Sequence, residues 1–169
     1  MCARFVVAYG SADATKTADN QAGAQEFCDA WNDASYGYRA TISAVDESTL
    51  TPDDIASSHL LLFGSEESSA YIARMAEDPA LPFNLPARVL NDSVTIDAHV
   101  FTGSEYGVWM AYPNPLAPDR LVVIGSNVVG STSGLTGAIF WTQDAYHWKW
   151  PDYVIFKTDE IPRVEVDNP

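Results

Sequence analysis

Three short apolar runs end in the same dipeptide, and that punctuation constrains the fold more than any other feature. Arg4-Phe5-Val6-Val7-Ala8-Tyr9 closes with Gly10-Ser11, His59-Leu60-Leu61-Leu62-Phe63 with Gly64-Ser65, and Arg120-Leu121-Val122-Val123-Ile124 with Gly125-Ser126. Apolar runs of this length, without alternation, read as strands covered on both faces, which is the condition of a parallel sheet. The glycine lets the backbone leave the strand sharply. Parallel neighbours also need long crossovers, so helices are expected between the runs.

Those helices are written in the chain. Over 18–34 the positions Ala22, Ala24, Phe27, Cys28 and Trp31 fall at helical spacing in an Ala-rich stretch. Residues 38–45 alternate like a strand. Thr51-Pro52-Asp53-Asp54 has the form of a helix start, with a Thr cap, Pro at the first position and acids in the first turn. A further helix is predicted over 69–77, ahead of Pro79, and 81–86 reads as a Pro-broken loop. Arg88-Val89-Leu90 and Val94-Thr95-Ile96 flank Asn91-Asp92-Ser93 as a hairpin. A strand is predicted over 107–112, then a rigid turn through the three prolines of 113–118. Residues 130–137 are rich in Gly, Ser and Thr, 138–146 reads as helix, and 153–157 reads as strand. These elements predict a single α/β domain over 1–162, three-layered and Rossmann-like or flavodoxin-like. Its sheet is expected to be mostly parallel, with helices on both faces and a small antiparallel hairpin insertion at about 87–112. Residues 163–169 are expected to be a polar tail.

Charge narrows the partners. The 169 residues carry 23 acids against nine Lys plus Arg, a net charge of −14. Phosphate backbones would meet a negative surface with no basic patch, so no nucleic-acid partner is expected. No apolar run reaches the roughly 18 residues of a membrane-spanning helix, so no membrane partner is expected. Fifteen of the acids are Asp and only three residues are Lys, a well-hydrated and self-repelling surface that favours a monomer. Cys28 falls on the apolar helix face as a small core residue, and two thiols without nearby His make no zinc site. A Cys2–Cys28 disulfide is the other reading of the pair. Met1 to Tyr9 runs straight into a strand pattern and carries no visible signal peptide. The expected location is therefore cytoplasmic, or extracellular or periplasmic if the chain is part of a longer secreted protein.

In an open α/β sheet, ligands collect outside the carboxyl ends of the strands. The candidate ligand-binding residues are thus Gly10, Ser11, Gly64, Ser65, Ser126 and Asn127, with Tyr112 and Asn114 expected at the rim. The plainer reading is that Gly turns the chain and Ser caps the adjoining helix. The loop from Tyr9 to Thr17 resembles a phosphate cradle only in part, since its middle lacks glycine and Asp13 would repel an anion. FMN is accordingly an alternative, with Trp109 or Tyr112 as stacking partners, and no cofactor is the primary expectation. No G-x-S-x-G is present, because Gly130-Ser131-Thr132-Ser133-Gly134 has Thr at its centre. Of the three histidines, His59 reads as a satisfied strand boundary and His99 as exposed. His147, near Asp144, offers only a weak serine-hydrolase alternative with Ser126. The acidic pairs Asp53-Asp54 and Glu66-Glu67 lack calcium-loop or zinc spacing, so no metal site is expected. The cluster Tyr146-His147-Trp148-Lys149-Trp150 reads as a helix end on the sheet, with an aromatic platform as its alternative.

One pattern runs the length of the chain. Phe5-Val6-Val7-Ala8-Tyr9-Gly10 leads to the Ala-rich helix ending at Trp31, and Asp53-Asp54-Ile55-Ala56 leads into Leu60-Leu61-Leu62-Phe63-Gly64. Tyr71-Ile72-Ala73-Arg74 and Leu81-Pro82 follow. Then come Tyr112-Pro113-Asn114-Pro115-Leu116-Ala117-Pro118-Asp119-Arg120, the strand Leu121-Val122-Val123-Ile124, and Pro151-Asp152-Tyr153-Val154. In these residues the chain resembles the C-terminal α/β domain appended to bacterial prolyl-oligopeptidase-like or esterase-like α/β-hydrolases. The resemblance implies an accessory or interaction domain, not catalytic by itself, whose partner is a hydrolase domain of the same polypeptide or another protein. It carries no catalytic residue over to this chain. Ser68-Ser69-Ala70 stands where that family usually has a Ser-Asn pair, and 125–146 is Gly/Ser/Thr-rich where the family turns aromatic and acidic.

Overall fold

A computed structural model describes residues 4–34, 41–128 and 153–157. The three Gly-Ser-terminated runs are strands β1 (Phe5–Tyr9), β3 (His59–Phe63) and β8 (Ala117–Ser126). They lie side by side and parallel, Val7 opposite Leu61 and Leu61 opposite Val123. The short strand β2 (Ala44–Asp46) adds parallel to the outer side of β1. Strands β7 (Tyr106–Asn114) and β9 (Tyr153–Lys157) complete a six-stranded sheet in the order β2-β1-β3-β8-β7-β9. Both of their pairings, β7 with β8 and β7 with β9, are antiparallel. A second sheet of three antiparallel strands, β4 (Ala87–Val89), β5 (Ser93–Ile96) and β6 (His99–Thr102), follows in the order β4-β5-β6.

This corrects the expected fold. The large sheet is mixed, strands predominate, and only three α-helices occur among the described residues: α1 (Thr17–Ala34), α2 (Pro52–Ser57) and α3 (Ala70–Glu77). The molecule is not a helix-rich, mostly parallel, three-layer Rossmann-like or flavodoxin-like domain. Two local facts explain the difference. The route from β3 to β8 contains the small sheet and a single helix, α3, so a sheet takes space where a second layer of long helices is expected. The Pro-rich segment is no barrier to pairing either. Pro113 ends up in β7 and Pro118 in β8, with a turn of only Pro115 and Leu116 between the strands. So short a connection permits only antiparallel neighbours. The missing N–H of Pro113 is tolerated because β9 reaches only as far as Met110, and the register shifts between Pro113 and Asn114.

The helices begin where their caps say. Thr51 accepts from the Asp54 N–H, and the Asp54 carboxylate accepts from the Thr51 N–H, a reciprocal capping box with Pro52 inside it. Ser69 caps α3 by accepting from the Ile72 N–H. Residues 41–43 are not strand, so the extended stretch expected over 38–45 shortens to Ala44–Asp46; residues 38–40 lie outside those described. The helix expected over 138–146 and the tail also lie outside them.

Two cores sandwich the sheet. On one face α1 lays Ala24, Phe27 and Cys28 over Val7, Phe63 and Trp109. Trp109 stands edge-on to Phe63 at 5.5 Å, which places it in the core and not over a ligand. Burial pushes the Cys28 thiol up to about 11, as expected for a core cysteine. On the other face Ile72 and Met75 of α3, with Val89, Val94 and Ile96 of the small sheet, close over Leu60, Leu62, Val122 and Ile124. The small sheet thus belongs to the core. Burying side chains of this size contributes about 1.5–3 kcal/mol each.

Candidate functional site

The parallel run brings the ends of β1, β3 and β8 to one edge of the sheet. The chain passes from β1 outward to β2 and then back across to β3, which makes that edge the place where strand order reverses. Gly10 N–H donates to the Phe63 carbonyl, and Gly64 N–H donates to the Gly125 carbonyl, so the three turns are stitched together. A Cβ on Gly10 would press into the Ser68 carbonyl oxygen and stand 2.8 Å from Ser69 Cβ. Gly64 sits at φ +147°, and a Cβ there would meet Ser68 Oγ at 2.9 Å. Both positions therefore need glycine.

Beyond the ends of β3 and β8 the edge opens into a cleft of about 340 Å³. Gly64, Ser65, Gly125, Ser126 and Asn127 form one side, as the strand endings predict. Lys16, Asn20 and Gly23 of the β1–α1 turn and α1 form another, and Asn91 and Ser104 of the small-sheet loops close it. Gly10 and Ser11 lie beside the cleft without lining it.

The three serines differ in their partners. Ser11 Oγ donates to Asp46 at 2.7 Å, tying the end of β1 to β2. This donation and those of Ser48 hold the Asp46 carboxyl below its usual range. Ser65 Oγ donates to Asn91 Oδ1 at 2.6 Å and lies 3.1 Å from Ser68 Oγ. Ser126 is 4% exposed and lines the cleft, and its hydroxyl makes no hydrogen bond among the described residues. Asn127 follows in a left-handed conformation, φ +52°, and its Nδ2 donates to the Tyr106 and Asn91 carbonyls.

Asn114, expected at the rim, is at the opposite end of the sheet, and Tyr112 pairs with Val122 in the middle of β8. β7 runs antiparallel, so its residue beside Ser126 is Val108, while Asn114 pairs with Ala117 at the start of β8. The length of β8, about 30 Å, separates Asn114 from the cleft. Asn114 is fully buried, and its Oδ1 accepts from the Leu116 N–H to shape the two-residue turn.

Residues outside the predicted ligand-binding set complete the edge. Asp13 occupies the heart of the β1–α1 loop. Its carboxylate accepts from the Thr15 N–H and hydroxyl, which holds it well below the usual carboxylate range, and Asn91 Nδ2 lies 3.4 Å from it. Glu47 is 3% exposed and accepts from Ser69 Oγ and the Ala70 N–H, capping α3 from the next loop. Glu66 and Glu67 accept from the Val89 and Asn91 N–H groups, and Arg88 bridges Glu66 and Glu77. The acidic pair is a clamp between the β3 loop and the small sheet. No local spacing announces the contacts of Glu47, Glu66 and Glu67 with the Ala70, Val89 and Asn91 N–H groups, because each spans more than twenty positions.

The other candidates resolve simply. His59 Nδ1 accepts from the Leu121 N–H at 2.9 Å, a satisfied boundary residue, and His99 is exposed. No group of metal-ligating side chains occurs among the described residues. No helix among them is long and apolar enough to cross a membrane. Cys2, the 130–134 stretch, Asp144 and the 146–150 cluster with His147 lie outside the described residues. No family model, curated protein or solved structure matches the chain.

Proposed function

We propose that the chain is a non-catalytic recognition domain whose ligand seats in the cleft at the ends of β3 and β8. The observation that carries this reading is Ser126, a buried residue lining the cleft whose hydroxyl has no hydrogen-bond partner among the described residues, while its two counterparts are bonded. A hydroxyl open to the cleft and free of protein partners is available to what enters it. The resemblance to domains appended to peptidase-like and esterase-like hydrolases supplies a setting, in which the domain serves a hydrolase of the same polypeptide or a separate protein. The lowered Asp13 carboxyl favours this over an FMN protein. It takes the donors of the β1–α1 loop and stays ionised where a phosphate would need to sit.

Incubating the intact chain with p-nitrophenyl acetate and butyrate tests the reading. Release of p-nitrophenol is expected at the buffer rate. A faster rate that disappears in Ser126→Ala overturns it in favour of a hydrolase, and a yellow, flavin-fluorescent preparation overturns it in favour of a cofactor protein.

A further inference from the structure

The groups left over in the cleft specify more than its existence. Asn20 spends its Nδ2 on the Gly10 carbonyl, and Asn127 spends its Nδ2 on two carbonyls. Among the described residues each amide still has its Oδ1 acceptor unbonded, and Asn20 keeps one further N–H donor. The Ser126 hydroxyl both donates and accepts, as does that of the exposed Ser104 at the mouth. An anion brings acceptors only, so it could use the Asn20 N–H and the serine hydroxyls but would leave both amide oxygens without a donor. A cation would share the cleft with Lys16, whose ammonium is 4.0 Å from the Asp19 carboxylate, so the one charged pair lining the cleft among the described residues already balances itself. A hydroxylated neutral molecule fits on both counts, because each of its O–H groups donates to an amide oxygen and accepts from a serine. The volume of about 340 Å³ lies at the small end of ligand sites. Gly23, Gly64 and Gly125 line the cleft beside the apolar Phe63 and Val128, a mixed wall that suits the C–H faces of such a molecule as well as its hydroxyls.

Resting on the recognition reading above, we infer that the cleft takes a neutral, polyhydroxylated molecule of monosaccharide size. The donors come from its hydroxyls, the Ser126 hydroxyl both gives and receives, and no charge is exchanged. Salt therefore has little effect on binding.

The test is titration of the intact, isotope-labelled chain with methyl α-D-glucopyranoside and with myo-inositol, followed by amide NMR signals. D-glucuronate and D-glucosamine serve as the anionic and cationic counterparts. Saturable shifts at Gly64, Ser126 and Asn127 with at least one neutral polyol are expected. Ser126→Ala weakens that binding about three- to tenfold. Ser104→Trp, at an exposed position, blocks the mouth and removes the shifts while leaving the unfolding midpoint unchanged. The inference is overturned if neither neutral polyol shifts these signals. It is also overturned if glucuronate or glucosamine binds more tightly than both, and in that case the recognition reading stands. Ester turnover by the cleft, by contrast, removes the recognition reading itself.

Discussion

The first and third Gly-Ser turns are the same dipeptide at the ends of parallel strands, yet one is closed and the other open. At Gly10-Ser11 the backbone is pressed against Ser68 and the hydroxyl is bonded to Asp46. At Gly125-Ser126 a glycine Cβ would meet only the rims of Trp109 and Phe63, at 3.2–3.3 Å, and the hydroxyl has no partner among the described residues. Position at a strand end therefore makes a residue available to a ligand, and the supply of carboxylates and amides from neighbouring loops decides whether it remains so. The middle turn, Gly64-Ser65, shows both outcomes at once. Its serine lines the cleft but is held by Asn91, which makes it part of the wall.

The contrast between closed and open turns is tested hardest at the glycines. Gly10→Ala is expected to cost about 3 kcal/mol, because the obstacle is backbone, whereas Gly125→Ala costs about 1 kcal/mol, since two rings yield a few tenths of an ångström. Chemical denaturation of both variants measures the gap, and equal losses would show that the two turns are packed alike. The serines come next. Ser65→Ala should lose about 1–2 kcal/mol by stranding Asn91 Oδ1, while Ser126→Ala should stay within about 0.5 kcal/mol of the parent. A large loss at Ser126 would mean that its hydroxyl has a structural partner after all.

The smallest effect is in pH. The folded Asp46 carboxyl lies below its ordinary value of 3.8, as does that of Asp13. A depressed carboxyl stabilises the fold above the unfolded value, and that contribution fades as pH falls from about 4 through the folded value. The unfolding midpoint should thus be level near neutrality and decline in acid. Asp46→Asn should lower the plateau and make the acid decline shallower. An unchanged slope would remove Ser11–Asp46 from the forces that close the first turn.

Much of this edge was legible in the sequence, because strands and caps are local. Apolar runs, a Thr-Pro-Asp-Asp helix start and a Gly-Ser ending need only their neighbours to be recognised. Strand direction is not local in the same way. Pro113 and Pro118 read as interruption, and nothing nearby said that Pro115 and Leu116 alone would form the turn and send β7 back along β8. That single reversal made the sheet mixed, carried Asn114 to the opposite end and left Tyr112 in mid-strand. The role of Glu47 is hidden for a related reason, since its partners Ser69 and Ala70 are 22 and 23 positions away. A surface acid and a buried helix-capping acid are the same letter until a distant loop folds over one of them.

The central place of β3 also has a consequence for assembly. β1 is made before it, but β8, its partner on the other side, is made only after the small sheet and β7. During synthesis the Leu60-Leu61-Leu62-Phe63 edge stands unpaired, the kind of edge that recruits other chains. β7 and β8 then arrive as a hairpin, which forms in about 1–10 μs once both strands exist. The exposed interval is thus set by translation more than by folding. A chain of net charge −14 crosses it while repelling its copies, so the acidity that leaves the cleft neutral works earlier, on the ribosome.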